Sequence, residues 1–154
     1  MSRQPGAWSR LRGVGAGGSG YRRIEHSGDL CIEVEAPSPE GLFETAGRAL
    51  FDVLLEGEVR ESPAASVRLR AADRDLLLAD WLNELLYLHS PGGWALGRFE
   101  VRLDPGAVLT AQVWGERFDA SRHRACLEIK AATLHGLRVQ GSGGVWRARV
   151  IFDL

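Results

Sequence analysis

The sequence predicts an α+β fold, a compact single domain of mainly antiparallel β-sheet with two α-helices. Three observations carry this. Two segments place apolar residues at helical spacing behind helix-capping residues. The other periodic segments alternate apolar and polar residues, as strands do. The order strand, helix, strand, helix, then successive hairpins belongs to an α+β chain with a largely antiparallel sheet. A length of 154 residues fits one domain, since most run to ~50–250 residues.

The elements follow in order. Leu30, Ile32, Val34 and Ala36 alternate with Cys31, Glu33 and Glu35, which predicts a half-buried strand. Ser38-Pro39 then supplies an N-cap with proline at the first helical position, and Glu40 suits the first turn. Leu42, Ala46, Ala49, Leu50 and Val53 make one apolar stripe, a helix ending near Leu55 before Gly57. Val67, Leu69 and Ala71 predict a strand. Asp73 caps a second helix, whose Leu77, Leu78, Trp81, Leu82, Leu85, Leu86 and Leu88 form a band broad enough to be buried on most sides. Ser90-Pro91-Gly92-Gly93 stops it.

The rest reads as strands. Phe99, Val101 and Leu103 lead through the Asp104-Pro105-Gly106 turn into Val108 to Trp114. Leu127 and Ile129 alternate with Glu128 and Lys130, predicting another strand on which Lys130 is either a functional group or half of a cross-strand ion pair. Leu137 and Val139 precede the Gly141-Ser142-Gly143-Gly144 turn and a last strand bearing Trp146, Ala148, Val150 and Phe152.

Composition narrows the function. Hydrophobic residues form 45% of the chain, enough for a core. A formal net charge of -1 argues against a protein built mainly to coat nucleic acid or an anionic membrane, so a polyanion partner must meet a local patch. Two cysteines, Cys31 and Cys126, each placed in an expected strand, make no disulfide framework or C-x-x-C site. With no apolar leader and no run of ~20 apolar residues, a cytoplasmic protein with reduced thiols and no membrane partner is expected. Residues 1–20 are rich in Gly, Ser and Arg with no acid, which predicts a flexible arm before a domain over 21–154. Gly13, Gly15 and Gly18 spell G-x-G-x-x-G, but no strand precedes them and no helix follows, so they are no dinucleotide fingerprint.

Chemistry concentrates at the two ends of the domain. Asp29 and Asp153 both fall on the polar parity of their strands, and antiparallel pairing of those strands would bring them together. The Leu154 α-carboxylate would add a third negative group. Crowded carboxylates raise each other's pKa unless a cation neutralises them, and oxygen-only ligands suit a hard divalent ion, Ca²⁺ or else Mg²⁺ or Mn²⁺. His26 stands three residues before Asp29, in a turn, where it either orients a carboxylate or is a turn histidine without a role. The stretch 119–137 gathers Asp119, His123, Glu128, Lys130, Thr133 and His135, matching neither a zinc template nor a nucleophile elbow.

Taken together and in order, several segments resemble the archease family. They are His26-Ser27-Gly28-Asp29-Leu30, Gly41-Leu42-Phe43 with Ala46 and Ala49-Leu50-Phe51, and Asp75-Leu76-Leu77 with Trp81-Leu82-Asn83-Glu84-Leu85-Leu86. They continue with Gly115-Glu116, Asp119, His123, Glu128-Ile129-Lys130-Ala131, Thr133 and His135-Gly136-Leu137, and close on Val150-Ile151-Phe152-Asp153-Leu154. The likeness spans about residues 21–154. One departure stands out: Ser27-Gly28 replaces a usual Thr-Ala, keeping the hydroxyl.

The resemblance implies an accessory protein, not an enzyme. Archeases activate RtcB-type RNA ligases, promoting their guanylylation and repeated turnover in tRNA splicing and RNA repair, so tRNA would be met through the ligase. It implies metal ligands at Asp29, Asp153 and Leu154, and an activating contact at Lys130, with His26, His135 and Asp119 nearby. A stand-alone metal-dependent hydrolase acting on a phosphorylated substrate is the alternative, and a third is an RNA-binding module using Arg3, Arg10, Arg12, Arg22 and Arg23.

Overall fold

The computed structural model describes residues 18–26 and 28–154, without the side chains of Glu25 and His26. The expected arm therefore lies outside the described residues apart from its last three positions, as does Ser27. In chain order the elements are β1 (Gly20–His26), β2 (Asp29–Ala36), α1 (Pro39–Leu54), β3 (Leu55–Glu56), β4 (Ser62–Arg70) and α2 (Arg74–His89). There follow β5 (Trp94–Asp104), β6 (Val108–Arg117), β7 (Arg124–Ala125), β8 (Ala131–Ala132), β9 (Val139–Ser142) and β10 (Val145–Asp153).

One sheet runs β1-β2-β10-β8, with β9 beside β8 on the same flank of β10. A second runs β4-β6-β5, and β3 pairs with β7. All pairings are antiparallel. Both helices touch both sheets: α1 packs on β1, β2, β10 and β5, and α2 on β8, β9, β4 and β5. The apolar residues of all these elements merge into one core, so the mixed α+β architecture is what the periodicities require.

Both helices start where the sequence places them. Ser38 Oγ accepts the Gly41 amide at 3.0 Å, and Asp73 Oδ1 accepts that of Leu76 at 2.9 Å. Trp81 is fully buried, and its Nε1 donates to Phe43 O at 2.9 Å, so a core indole keeps its hydrogen bond and ties the helices together. Gly47 allows this approach: a Cβ there would stand 3.1 Å from both Leu85 Cδ1 and Phe99 Cδ1.

Three strand expectations need correction. The polar face of β2 is not open to water, since Cys31 is 4% and Glu33 1% exposed. β2 is an inner strand, and Arg22 from β1 and Arg149 from β10 close over Glu33 at 3.2 and 3.0 Å. Residues 126–130 form no strand. The Cys126 and Leu127 amides turn instead to Leu54 O, at 2.9 and 3.5 Å, so this segment wraps the end of α1, Cys126 is exposed outside any strand, and among the described residues Lys130 and Glu128 make no ion pair. Finally, β1 begins inside the expected arm, at Gly20. Its consecutive Arg22-Arg23 hides the alternation, and charge of that kind suits an edge strand.

Candidate functional site

The register of β2 and β10 decides which chemistry meets. Their rungs run from Trp146 opposite Ala36 to Phe152 opposite Leu30, and one further step sets Asp153 across from Asp29. Directly opposed residues share a face, with Cβ atoms about 4.5–5.5 Å apart. On the other side of β2, Asp29 pairs with His26. Both aspartates are exposed, and among the described residues neither carboxylate has a hydrogen-bond or ion-pair partner. Gly28, at φ 81°, makes the tight turn that delivers Asp29 to its strand.

A second segment reaches the same sheet end from β8. The Lys130 amide donates to Asp153 O at 2.8 Å, and Thr133 N donates to Ile151 O at 2.9 Å. Thr133 Oγ1 donates to that same carbonyl at 3.0 Å. Lys130 is exposed, and His135 sits in an exposed turn beyond Thr133, beside Leu134 at 57% exposure. Behind Lys130, an open groove of about 740 Å³ is lined by Asn83, Leu86, Tyr87, Cys126, Glu128 and Ile129, among others.

Asn83 is the residue the sequence reading passed over. From α2 its Nδ2 donates to Ala132 O at 3.2 Å, and its Oδ1 accepts the Ala132 amide at 2.8 Å. One side chain thus takes the place of a neighbouring strand for β8, two residues from Lys130. Asp75 does similar work one end away, accepting the Val139 amide at 2.7 Å. Nothing in helical periodicity marks either residue, because the partners come from a segment with no period of its own.

Asp119 belongs elsewhere. It lies on the loop leaving β6, and its Oδ1 is taken by Ser121 N and Oγ at 3.0 and 2.7 Å, which holds its carboxyl below the usual range. Its carbonyl accepts the Arg122 and His123 amides, and its own amide donates to His123 Nδ1 at 3.0 Å. His123 is buried, with Nε2 3.1 Å from Glu58 O. Beside it, Arg122 grips both oxygens of Glu116 at 2.5 and 2.8 Å. The sequence grouped Asp119 and His123 with Lys130, but their hydrogen bonds are made within this loop and to Glu58.

Comparisons with known proteins show the family and the fold. The family model of the Archease protein family covers residues 21–154. The chain belongs to the archease family. Protein archease of Methanopyrus kandleri is 34% identical over 139 residues, covering 87% of this chain and 99% of that protein. Protein archease of Pyrococcus furiosus is 30% identical, covering 87% and 98%. The solution structure of Methanobacterium thermoautotrophicum protein 1598 superposes with a TM-score of 0.76 at 30% identity, covering 87% of this chain and 98% of that one. A Thermotoga maritima crystal structure described as an archease and possible chaperone shares the fold, with a TM-score of 0.58 at 23% identity over 86% and 96%.

For an archease, the donor chemistry at this sheet end fits a hard cation. Two exposed carboxylates, without an internal partner among the described residues, offer oxygen alone, the donor set that Ca²⁺ and Mg²⁺ prefer. Among the described residues no three His, Cys, Asp or Glu side chains gather into a metal cage. The remaining donors would therefore be main-chain oxygens or water, as hard cations commonly accept. No helix among the described residues is long and apolar enough to cross a membrane.

Proposed function

We propose that this archease is an accessory protein that activates an RtcB-type RNA ligase, promoting its guanylylation and repeated turnover in tRNA splicing and RNA repair. The observation that supports the reading is the β2-β10 register, which draws Asp29 and Asp153 to one edge and sets Lys130 against the same strand. Asp29, Asp153 and a main-chain carboxyl oxygen of Leu154 would hold a divalent cation. Bound there, the cation supplies positive charge able to orient phosphates.

The chain's own residues do the rest. Lys130, held by its backbone while its side chain reaches solvent, presents a compact positive charge toward the ligase. His26 and His135 flank the edge from β1 and from the turn after β8. The accessory role implies that no reacting group need be enclosed, in keeping with exposed carboxylates and an open groove rather than a closed pocket.

Two measurements test the reading. Ligase guanylylation followed in time should accelerate with the wild-type archease and lose that acceleration with Asp29→Ala. Added Ca²⁺ at about a hundredfold above its dissociation constant should raise the wild-type melting point by on the order of 5–10 °C and leave Asp29→Ala unmoved. Full acceleration by Asp29→Ala would end the proposal, and turnover of nucleotide or RNA ends without ligase would favour a hydrolase.

A further inference from the structure

We propose that the outer face of the β4-β6-β5 sheet binds a single-stranded polynucleotide, gripping its phosphates with arginines and stacking a base. The residues that face outward on these three strands are exposed or half-buried, and unevenly charged. They include Arg68 and Arg70 on β4, and Arg98, Glu100, Arg102 and Asp104 on β5. On β4 and β5, four arginines against two acids give the outward positions a balance of +2, while the whole chain carries -1. A polyanion would therefore meet this chain at a local patch, and this face is one.

The register shows how the charges are laid out. Arg68 and Arg102 stand on either side of Thr110 in one row, and Pro63, Trp114 and Arg98 form another. Strands lie about 4.8 Å apart, so Arg68 and Arg102 bracket a track roughly two strands wide. Arg98 and Arg102 are bound at home, to Glu100 at 2.5 Å and Asp104 at 3.3 Å. Among the described residues Arg68 and Arg70 make no ion pair, and both are exposed. Unneutralised guanidiniums on a rigid strand are the groups a phosphate recruits.

The aromatic element distinguishes a nucleic acid from other polyanions. Trp114 is half-buried yet takes no part in the core. The Arg98 guanidinium lies over its ring, 4.3 Å from the centroid. A guanidinium over an indole, at an exposed position, is a cation-and-ring pair of the kind on which unpaired bases stack. A protein's acidic patch would gain from the arginines but not from this stacking. The bulge between Leu96 and Arg98 is what turns Arg98 outward beside Trp114 while Phe99 stays in the core.

This inference is independent of the cation and of the ligase, and its test separates them. Fluorescence anisotropy of a labelled single-stranded oligouridine, titrated with the full chain across a salt series, should show binding that weakens linearly in log-log form. Each phosphate contact contributes a slope of about 0.7 for single strands, so Arg68→Gln/Arg70→Gln should lower the slope by roughly 1.4. Arg10→Gln/Arg12→Gln should leave it unchanged. The same titration with a DNA strand distinguishes a backbone reader, which binds both, from one that needs the ribose hydroxyl. Absence of binding, or an unchanged slope in the Arg68/Arg70 variant, overturns the proposal. Both positions are exposed, and an unchanged melting curve excludes misfolding as the cause.

Discussion

The sheet end bearing Asp29 and Asp153 and the loop bearing Asp119 and His123 are equally rich in polar groups, but they use them in opposite ways. In the loop the polar groups are tied to one another: Asp119 serves Ser121 and His123, and Glu116 serves Arg122 and the Arg60 amide. At the sheet end two carboxylates face solvent, with no such partner among the described residues. Satisfied groups hold structure, whereas unsatisfied like charges side by side cost stability unless something outside the chain neutralises them. The contrast separates scaffold from site without reference to residue type.

The sharpest way to break that contrast is to delete one side chain from each region. His123→Ala opens a cavity and strips the Asp119 amide and Glu58 carbonyl of their partner, so a loss of about 3 kcal/mol is expected in denaturant unfolding. Asp29→Ala should stay within about 0.5 kcal/mol of wild type in the absence of divalent ions. Equal losses would mean that both regions are scaffold.

Asn83→Ala sharpens it with a smaller effect. Two backbone groups of Ala132 lose their partner at a half-buried position, which should cost about 1–2 kcal/mol. Because Asn83 is a positioning residue for the Lys130 segment, ligase activation should fall while any Ca²⁺-induced rise in melting point survives. Loss of the Ca²⁺ response together with activation would tie Asn83 to the carboxylates instead.

What the sequence made legible divides along the same line. Strand parity put Asp29 and Asp153 on one face, and chain order put them at opposite termini of the domain, so their meeting followed from one antiparallel pairing. Ser38 and Asp73 marked both helix starts because caps are local chemistry. The 126–130 segment was misread as a strand because two apolar residues separated by one polar residue satisfy a period of two even where the backbone bonds to a helix end. Asn83 was passed over, and Asp119 was grouped with Lys130, for a related reason. A polar side chain's role depends on which backbone it reaches, and at separations such as Asn83 to Ala132 no local pattern records it.

A pH series probes the loop by a gentler route. Bidentate contact with Arg122, then the Arg60 amide, holds the Glu116 carboxyl down to about 2 from an ordinary 4.5. A folded-state pKa below the unfolded one stabilises the fold above the unfolded value, and this is lost as pH falls through the folded value. The advantage of wild type over Glu116→Gln should thus be full above about pH 5 and shrink as pH falls from 4.5 toward 2. A stability difference that is flat with pH across that window would show that the ion pair is not what Glu116 contributes.

The smallest effect concerns reactivity rather than stability, and it tests burial on the two sides of the molecule directly. Cys126 is exposed on the segment that wraps α1, while Cys31 is buried on β2. Burial pushes the Cys31 thiol up, and Arg149 nearby opposes this only in part. The thiolate is the reactive form, so Cys31 is shielded twice, by access and by protonation. A thiol reagent at neutral pH should label Cys126 at once and Cys31 only as the fold opens. Denaturant at sub-unfolding concentrations then gives a local reading, since early labelling of Cys31 would place the β1-β2-β10 sheet, and with it the Asp29 edge, among the first parts of the fold to yield.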